Sequence, residues 1–144
     1  MTRNLIASLA VVTMVGVGVA APLTAASAAT SHAAWLKAAD AICTKGDAAL
    51  AAAIQKSKID PSTATPAQLK TIADIIYAAI DGQRVAIGKL PQASGDSAAI
   101  KKMLATLQTE EKQLKANPKL ILNDSSLGGS SKQAKALGLQ ACGS

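Results

Sequence analysis

Three long stretches of the sequence repeat apolar residues every three or four positions, the spacing that places them on one face of an α-helix. A shorter stretch near the carboxyl terminus shows the same pattern more weakly. The pattern predicts helices over residues 32–57, 66–89, 97–117 and 127–137. No stretch alternates strongly enough to predict a strand. The sequence therefore indicates an all-α fold, a small bundle of three long helices and one short carboxyl-terminal helix.

Residues typical of helix ends separate these stretches. Ser31 stands where the first helix needs an amino-terminal cap, and Asp96 stands in the same position before the third. Residues 65–68 read Thr-Pro-Ala-Gln, which combines a capping box with Pro at the first helical position. Gly138 suits a left-handed cap after the fourth helix. The apolar residues 120–122 show no period, and we expect them to seal one end of the core.

Residues 1–29 have the layout of a secretory signal peptide. Arg3 follows the amino terminus, an uncharged and mostly apolar run extends over residues 5–21, and small residues follow Pro22. Cleavage after Ala28 or Ala29 leaves a single helical domain within residues 30–144. An amino-terminal membrane anchor is the alternative, although the run is near the short limit for crossing a bilayer. The layout predicts a secreted, extracellular protein.

The chain has two cysteines, Cys43 in the first predicted helix and Cys142 near the carboxyl terminus. In an oxidising compartment, an even pair predicts a disulfide. Loop-entropy models assign roughly 4–5 kcal/mol of stability to closing a loop of about 100 residues. Two buried free thiols remain the alternative at this point. A redox pair is disfavoured because the chain has no Cys-x-x-Cys motif.

Four short segments stand out after residue 29. They are Ile42-Cys43, Leu90-Pro91 before the Asp-capped helix, Asn117-Pro118, and the Leu-Gly-Leu-Gln-Ala-Cys-Gly of residues 137–143. Together they resemble small secreted Ala-rich proteins of actinobacteria, which pair an early cysteine with a closing Leu-Gly-Leu-x-x-Cys-Gly. The aromatic residue that such proteins carry early in the last helix is absent, and Leu127 stands in its place. The resemblance covers most of the mature chain. It implies a secreted helical domain with a disulfide and implies no activity.

The composition argues against several kinds of site. One His and two Cys do not supply the ligands of most His-based or four-thiolate metal sites, and we expect no cofactor. One Trp, one Tyr and no Phe do not build a base-stacking platform. The 15 Lys and Arg against 9 Asp and Glu give a net charge of +6, spread along the chain, and Arg84 is the one Arg after residue 29. We expect no nucleic-acid partner and at most weak, salt-sensitive contact with an anionic cell envelope.

Most ionisable side chains are interpreted as solvated. His32, the one imidazole, is expected in a solvated terminal segment, which leaves a nucleophile–His–acid arrangement poorly supported. Asp81 and Arg84 are expected to form an ion pair one helical turn apart. The remaining acidic residues on the first two helices are interpreted as flank charges, and they are Asp40, Asp47 and Asp74.

One group of residues is a candidate polar pocket. Glu111 falls inside the apolar stripe of the third helix, and Glu110 lies at the other edge of that stripe. In an up-and-down bundle, Gly46 and Tyr77 lie at the same level as Glu111. If Glu111 is buried in such a pocket, we expect its pKa to be raised unless a cation or hydrogen bonds offset the shift, and we expect Leu in its place to stabilise the fold near neutral pH. The alternative is a half-exposed Glu111, with Gly46 serving only close helix packing.

The sequence supports a class of function rather than a named ligand. A secreted, non-enzymatic binding or interaction module fits a disulfide-tied bundle without catalytic groups. Its ligand is a small apolar molecule, a protein or the cell envelope. A membrane-active or antibacterial cationic protein is the first alternative. An enzyme that uses the Tyr77–Glu111 region is the second.

Overall fold

The computed structural model describes residues 30–93, 95–122 and 127–142. Within these residues the fold is all-helical. Helices α1 (His32–Ser57), α2 (Pro66–Gly88) and α3 (Ser97–Ala116) are followed by a 3₁₀ helix (Pro118–Leu122) and by α4 (Gly128–Leu137). An isolated parallel bridge joins Thr30 to Ala93 and places the start of the described chain beside the α2–α3 connection. Three long helices and one short helix confirm the predicted fold class.

Local sequence determines most of the helix ends. The Ser31 side chain accepts a hydrogen bond from the backbone N–H of Ala34, at 3.2 Å. Thr65 and Gln68 form both hydrogen bonds of the predicted capping box at the start of α2. Gly138 follows α4 with a φ of 96°, a conformation that glycine adopts readily. These caps confirm the predicted starts of α1 and α2 and the predicted end of α4.

Asp96 occupies the predicted capping position of α3 but makes no side-chain cap there. Its carboxylate instead lies 2.6 Å from Nδ1 of His32 in the first turn of α1. His32 is exposed, as expected, but its imidazole is paired with a residue of another helix rather than free in a terminal segment. The sequence does not show this contact, since the two residues are 64 positions apart.

The core at one end of the bundle brings together all four helices. Its centre is Trp35, which is completely buried, and it includes residues from the start of α1, the end of α2 and the start of α3. This arrangement follows from antiparallel packing of consecutive helices. The buried members of the cluster are Trp35, Ala39, Cys43, Ile87, Ala93, Ile100, Met103, Ala134, Leu137 and Leu139.

The Cys43–Cys142 disulfide is present, as predicted, with the two Cα atoms 5.2 Å apart. Polar contacts hold the same carboxyl-terminal segment. The Asp40 carboxylate accepts hydrogen bonds from the backbone N–H groups of Gln140 and Ala141, at 2.9–3.2 Å. Leu139 is buried beside them. Asp40 is therefore a tether for the end of the chain rather than a solvated flank charge.

The first turn of α4 is held by α3. The Glu110 carboxylate accepts hydrogen bonds from the backbone N–H groups of Gly129, at 2.8 Å, and Ser130, at 3.2–3.3 Å. A Cβ atom at residue 129 would lie 2.8 Å from a Glu110 oxygen, so glycine allows this close approach. A carboxylate from one helix thus caps the amino terminus of another, where it also complements the helix dipole.

Residues 120–122 lie in the 3₁₀ helix (Pro118–Leu122), which packs against α2 and α3. None of the three is fully buried, and Leu122 is 57% exposed. The expectation that this segment seals the core is therefore wrong for Leu122, because the tight 3₁₀ turn directs successive side chains to different sides. The predicted signal peptide, residues 1–29, lies outside the described residues. Among the helices that the structure does describe, none has the length and hydrophobicity needed to cross a membrane.

Candidate functional site

A cavity of about 220 Å³ lies between the four helices and is partly open to solvent. Most of its lining is aliphatic, and the disulfide forms part of the wall. The lining residues are Cys43, Asp47, Leu50, Ile54, Ile76, Ile80, Gln83, Ile87, Met103, Leu107, Leu127, Ser130, Ser131, Ala134, Ala141 and Cys142.

The lining of the cavity extends along the first two helices. Its lining residues on α1 run from Cys43 to Ile54, and those on α2 run from Ile76 to Ile87. Each set spans three helical turns, or about 16 Å at 1.5 Å per residue. Residues spaced three and four apart share one face of a helix, so both walls follow from the same apolar period that predicts the helices.

Helices α3 and α4 close the other side of the cavity. Met103 and Leu107 come from α3, and Leu127 to Ala134 come from the start of α4 and the residue before it. The position of α4 depends on the Glu110 cap at its amino terminus and on the Asp40 and disulfide tethers just after its end. These three contacts therefore determine the shape of the cavity without lining most of it.

The polar groups of the cavity are few. Among the lining residues that the structure describes, Asp47 is the one ionisable side chain, since Cys43 and Cys142 are joined. Gln83 donates a hydrogen bond from Nε2 to Oδ1 of Asp47, at 3.1 Å, and joins α2 to α1. Asp47 is exposed and Gln83 is half-buried, so this polar pair lies at the open side of the cavity.

Gly46 has a structural role in this polar pair. A Cβ atom at residue 46 would lie 2.1 Å from Nε2 and 2.5 Å from Cγ of Gln83. The glycine thus leaves the space through which Gln83 crosses α1 to reach Asp47. The sequence singles out Gly46 because it occupies an apolar-face position, whereas its neighbour Gln83 was not predicted.

The structure does not gather the three residues of the candidate polar pocket around this cavity. Gly46, Tyr77 and Glu111 are all absent from its lining. The Tyr77 ring lies beneath the ammonium group of Lys115, which is 4.7 Å from the ring centre. Each of the three residues contacts a side chain from another helix. The sequence places them at one level of the bundle, but it does not show which partners their neighbouring helices supply.

Glu111 is buried, with its side chain 2% exposed, so the half-exposed alternative is wrong. Arg84 reaches it from α2, and Nε donates to the two carboxylate oxygens at 3.0 and 3.2 Å. The same guanidinium group also pairs with Asp81 through Nη2, which confirms the predicted Asp81–Arg84 pair. Arg84 therefore bridges a buried carboxylate and a more exposed one.

Burial raises the pKa of Glu111 above its ordinary value of 4.5, because desolvation penalises the charged form. The hydrogen bonds and charge of Arg84 oppose this shift, and the nearby charge of Asp81 adds to it. Leu at this position would remove Arg84's buried partner as well as the carboxylate. The predicted gain from Glu111→Leu therefore does not follow for the single substitution, because half of an ion pair would remain.

The described residues show no arrangement typical of a metal site or of nucleophilic catalysis. Within residues 30–93, 95–122 and 127–142, no group of three or more His, Cys, Asp or Glu residues is placed to bind a metal ion. His32 contacts Asp96 through Nδ1, and its Nε2 forms no hydrogen bond with any of these residues. The His32–Asp96 pair joins α1 to the start of α3.

Comparison with protein-family models, curated proteins and solved structures finds no match to this chain.

Proposed function

We propose that this protein is a secreted, non-enzymatic binding module and that its ligand is a small apolar molecule held in the cavity. The observation that carries the proposal is the cavity itself, with its volume of about 220 Å³ and its largely aliphatic lining. Protein interiors are packed to crystal-like density, and voids larger than a water molecule are few in each domain. An apolar space of this size is therefore a feature that requires an occupant or a cost in stability.

The volume limits the ligand to a small molecule. An apolar cavity of about 150 Å³ holds benzene, which has six non-hydrogen atoms. Scaling by volume, this cavity holds roughly nine such atoms. Each methylene group moved from water into it contributes about 0.8 kcal/mol. Transfer of an aliphatic chain of this size thus supplies enough free energy for measurable binding after the entropic cost of association.

The nature of the lining supports binding rather than a reaction. Its residues offer no imidazole, and Cys43 and Cys142 are joined. The disulfide and the predicted signal peptide support secretion, since disulfides persist in oxidising compartments. In the proposed function, the protein therefore acts outside the cytoplasm, where it carries or senses a small apolar compound.

Filling the cavity is expected to abolish binding. Ala134 is buried and lines the cavity, so Ala134→Leu adds side-chain atoms to the space that the ligand needs. Octanol has about nine non-hydrogen atoms, the number that the volume allows. At about ten times its Kd it should stabilise the wild type by about 1.4 kcal/mol, and it should leave Ala134→Leu unchanged. Thermal or urea unfolding with and without octanol measures both effects.

Ala136→Leu is the matched control. Ala136 is exposed on the same helix and does not line the cavity, so this variant should respond to octanol like the wild type. Ile76→Phe is a second cavity-filling variant, from α2, for use if Ala134→Leu disturbs the fold. Equal stabilisation of the wild type and of a folded cavity-filling variant would show that octanol binds elsewhere and would contradict the proposal.

A further inference from the structure

The chemistry of the lining limits the ligand further. We infer that the occupant of the cavity is an unbranched aliphatic chain that ends in an ammonium group, with the ammonium beside Asp47 and the chain between α1 and α2. This inference rests on the proposed function, because it names the class of the ligand bound in the same cavity.

The shape of the cavity favours a chain over a ring. The lining positions on α1 and α2 extend over three turns of each helix, about 16 Å, while the volume is only about 220 Å³. The lining positions on α3, Met103 and Leu107, span only about one turn, so the lining is longer along α1 and α2 than along α3, and an extended chain can follow it. Most of the cavity wall consists of Leu, Ile, Met and Ala side chains, and none of the described lining residues is aromatic, so the wall offers no face on which a ring would stack.

The charge of the cavity favours a cationic end group. Of the described residues in the lining, Asp47 alone carries an ionisable side chain, and the Gln83 hydrogen bond goes to its Oδ1 atom. Oδ2 accepts no hydrogen bond from any residue in the described ranges, so it is available to a ligand. An ammonium group donates three hydrogen bonds, and a carboxylate is an acceptor only. The ammonium head group of the ligand therefore complements the Asp47 carboxylate in charge and in hydrogen bonding.

The position of Asp47 allows this pairing without burying the charge. Asp47 is exposed at the open side of the cavity, so a bound ammonium group stays in contact with water while the chain lies inside. An ion that keeps its hydration avoids most of the desolvation penalty of a buried charge. Without Arg3 of the predicted signal peptide, 14 Lys and Arg against 9 Asp and Glu give the mature protein a net charge of +5. This charge opposes a cation at long range, but salt screens that repulsion beyond about 8 Å in physiological buffer.

The lining also acts against fatty acids. A carboxylate head group at the same position would face the Asp47 carboxylate, and like charges repel. Ser131 is half-buried in the lining and offers a hydroxyl group that suits either head group. Discrimination between ligands of equal chain length therefore depends on Asp47.

Calorimetric titration with octylamine, octanol and octanoate tests this inference on the full mature protein at neutral pH. The wild type should bind octylamine about fivefold more tightly than octanol, the preference that one exposed ion pair gives. Octanoate should bind most weakly. Asp47→Asn keeps an oxygen that accepts the Gln83 hydrogen bond, and it should bind octylamine and octanol equally. Asp74→Asn removes the same charge from an exposed position outside the cavity and should keep the wild-type preference.

The outcomes separate the head-group inference from the proposed function. Equal binding of octylamine and octanol by the wild type would refute the inference that the ligand carries an ammonium group, and so would a preference that survives Asp47→Asn. Either result would leave the apolar cavity as the binding site. Binding of octylamine that survives Ala134→Leu and Ile76→Phe would overturn the inference as well, because the chain would lie outside the cavity. No binding of any of the three compounds by the wild type would overturn both.

Discussion

Replacement of Arg84 by Met is expected to lower the free energy of unfolding by about 3–5 kcal/mol at neutral pH. The substitution leaves the Glu111 carboxylate 2% exposed and without the guanidinium group that donates to both of its oxygens. The side chain of Arg84 is itself only 20% exposed, so bulk solvent contributes little screening to the pair. Met keeps the aliphatic part of the Arg84 side chain. The loss in the free energy of unfolding therefore measures the contribution of the guanidinium charge and its hydrogen bonds.

The effect of this substitution depends on pH, with a definite sign. Burial already raises the pKa of Glu111 in the folded protein, and removing Arg84 removes the two contributions that lower it. A carboxyl group whose pKa is higher in the folded than in the unfolded state favours folding most at low pH, below the unfolded pKa. That contribution is lost as pH rises through the folded pKa. The destabilisation should therefore be smaller near pH 4 than near pH 8. These two pH values lie on about opposite sides of the ordinary titration range of a Glu side chain.

Two further variants provide the control. The double variant Arg84→Met with Glu111→Leu removes the whole buried pair and should recover most of the stability, because apolar side chains of similar size replace it. Lys70→Met breaks an exposed pair on the same helix, where the partners are 68% and 50% exposed, and should cost less than about 1 kcal/mol. Urea unfolding measures all four proteins. A cost for Arg84→Met no larger than that for Lys70→Met would contradict the account of Glu111.

Reduction of the Cys43–Cys142 disulfide is expected to lower the free energy of unfolding by about 4–5 kcal/mol. The two cysteines are 99 positions apart, so the disulfide restricts most of the unfolded chain. The Asp40 hydrogen bonds and the burial of Leu139 hold the carboxyl-terminal segment independently of the disulfide. The loss on reduction therefore comes mainly from the entropy that the unfolded chain regains.

Urea unfolding with and without a thiol reductant measures the contribution of the disulfide. The double variant Cys43→Ala with Cys142→Ala should resemble the reduced protein and should not respond to reductant. Intact mass should show two hydrogen atoms fewer in the oxidised than in the reduced wild type. An unchanged unfolding midpoint in protein whose thiols have become fully alkylatable would refute the expected stabilisation.

The fold could be predicted from the sequence because local signals determine its elements. The apolar period and the caps at Ser31 and Thr65 give α1 and α2 directly. The same period places Glu111 inside the apolar stripe of α3, a position compatible with burial or with partial exposure, and the structure buries it. Its partner could not be predicted, since Arg84 is 27 positions away and the contact depends on how α2 and α3 rotate against each other.

Several acidic residues had roles that local pattern does not show. Asp40 and Glu110 bind backbone N–H groups of distant segments, and Asp96 binds His32 across the bundle. A residue at the flank of an apolar face is compatible with solvent or with such a contact, and the choice depends on the neighbouring element. The helical period therefore shows which residues lie off the core face of a helix. It does not show which groups those residues contact.

The cavity is the feature that is hardest to predict from the sequence. Helical period shows which side chains face inward, but it does not show how completely side chains from four helices fill the space between them. Gly46 was a signal near the cavity, because a residue without a side chain on an apolar face implies that another group occupies the space. That group is the side chain of Gln83, which reaches Asp47 at the open side of the cavity.

Methyl-group NMR of the protein during titration with octanol tests the central claim, that the cavity binds a small apolar molecule. The account predicts chemical-shift changes at the methyl groups that line the cavity, among them those of Ile80, Met103 and Leu107. Val85 and Leu122, which are 39% and 57% exposed and lie outside the lining, should not change. Changes confined to Val85 and Leu122, or no change at any methyl group up to saturating octanol, would contradict the account.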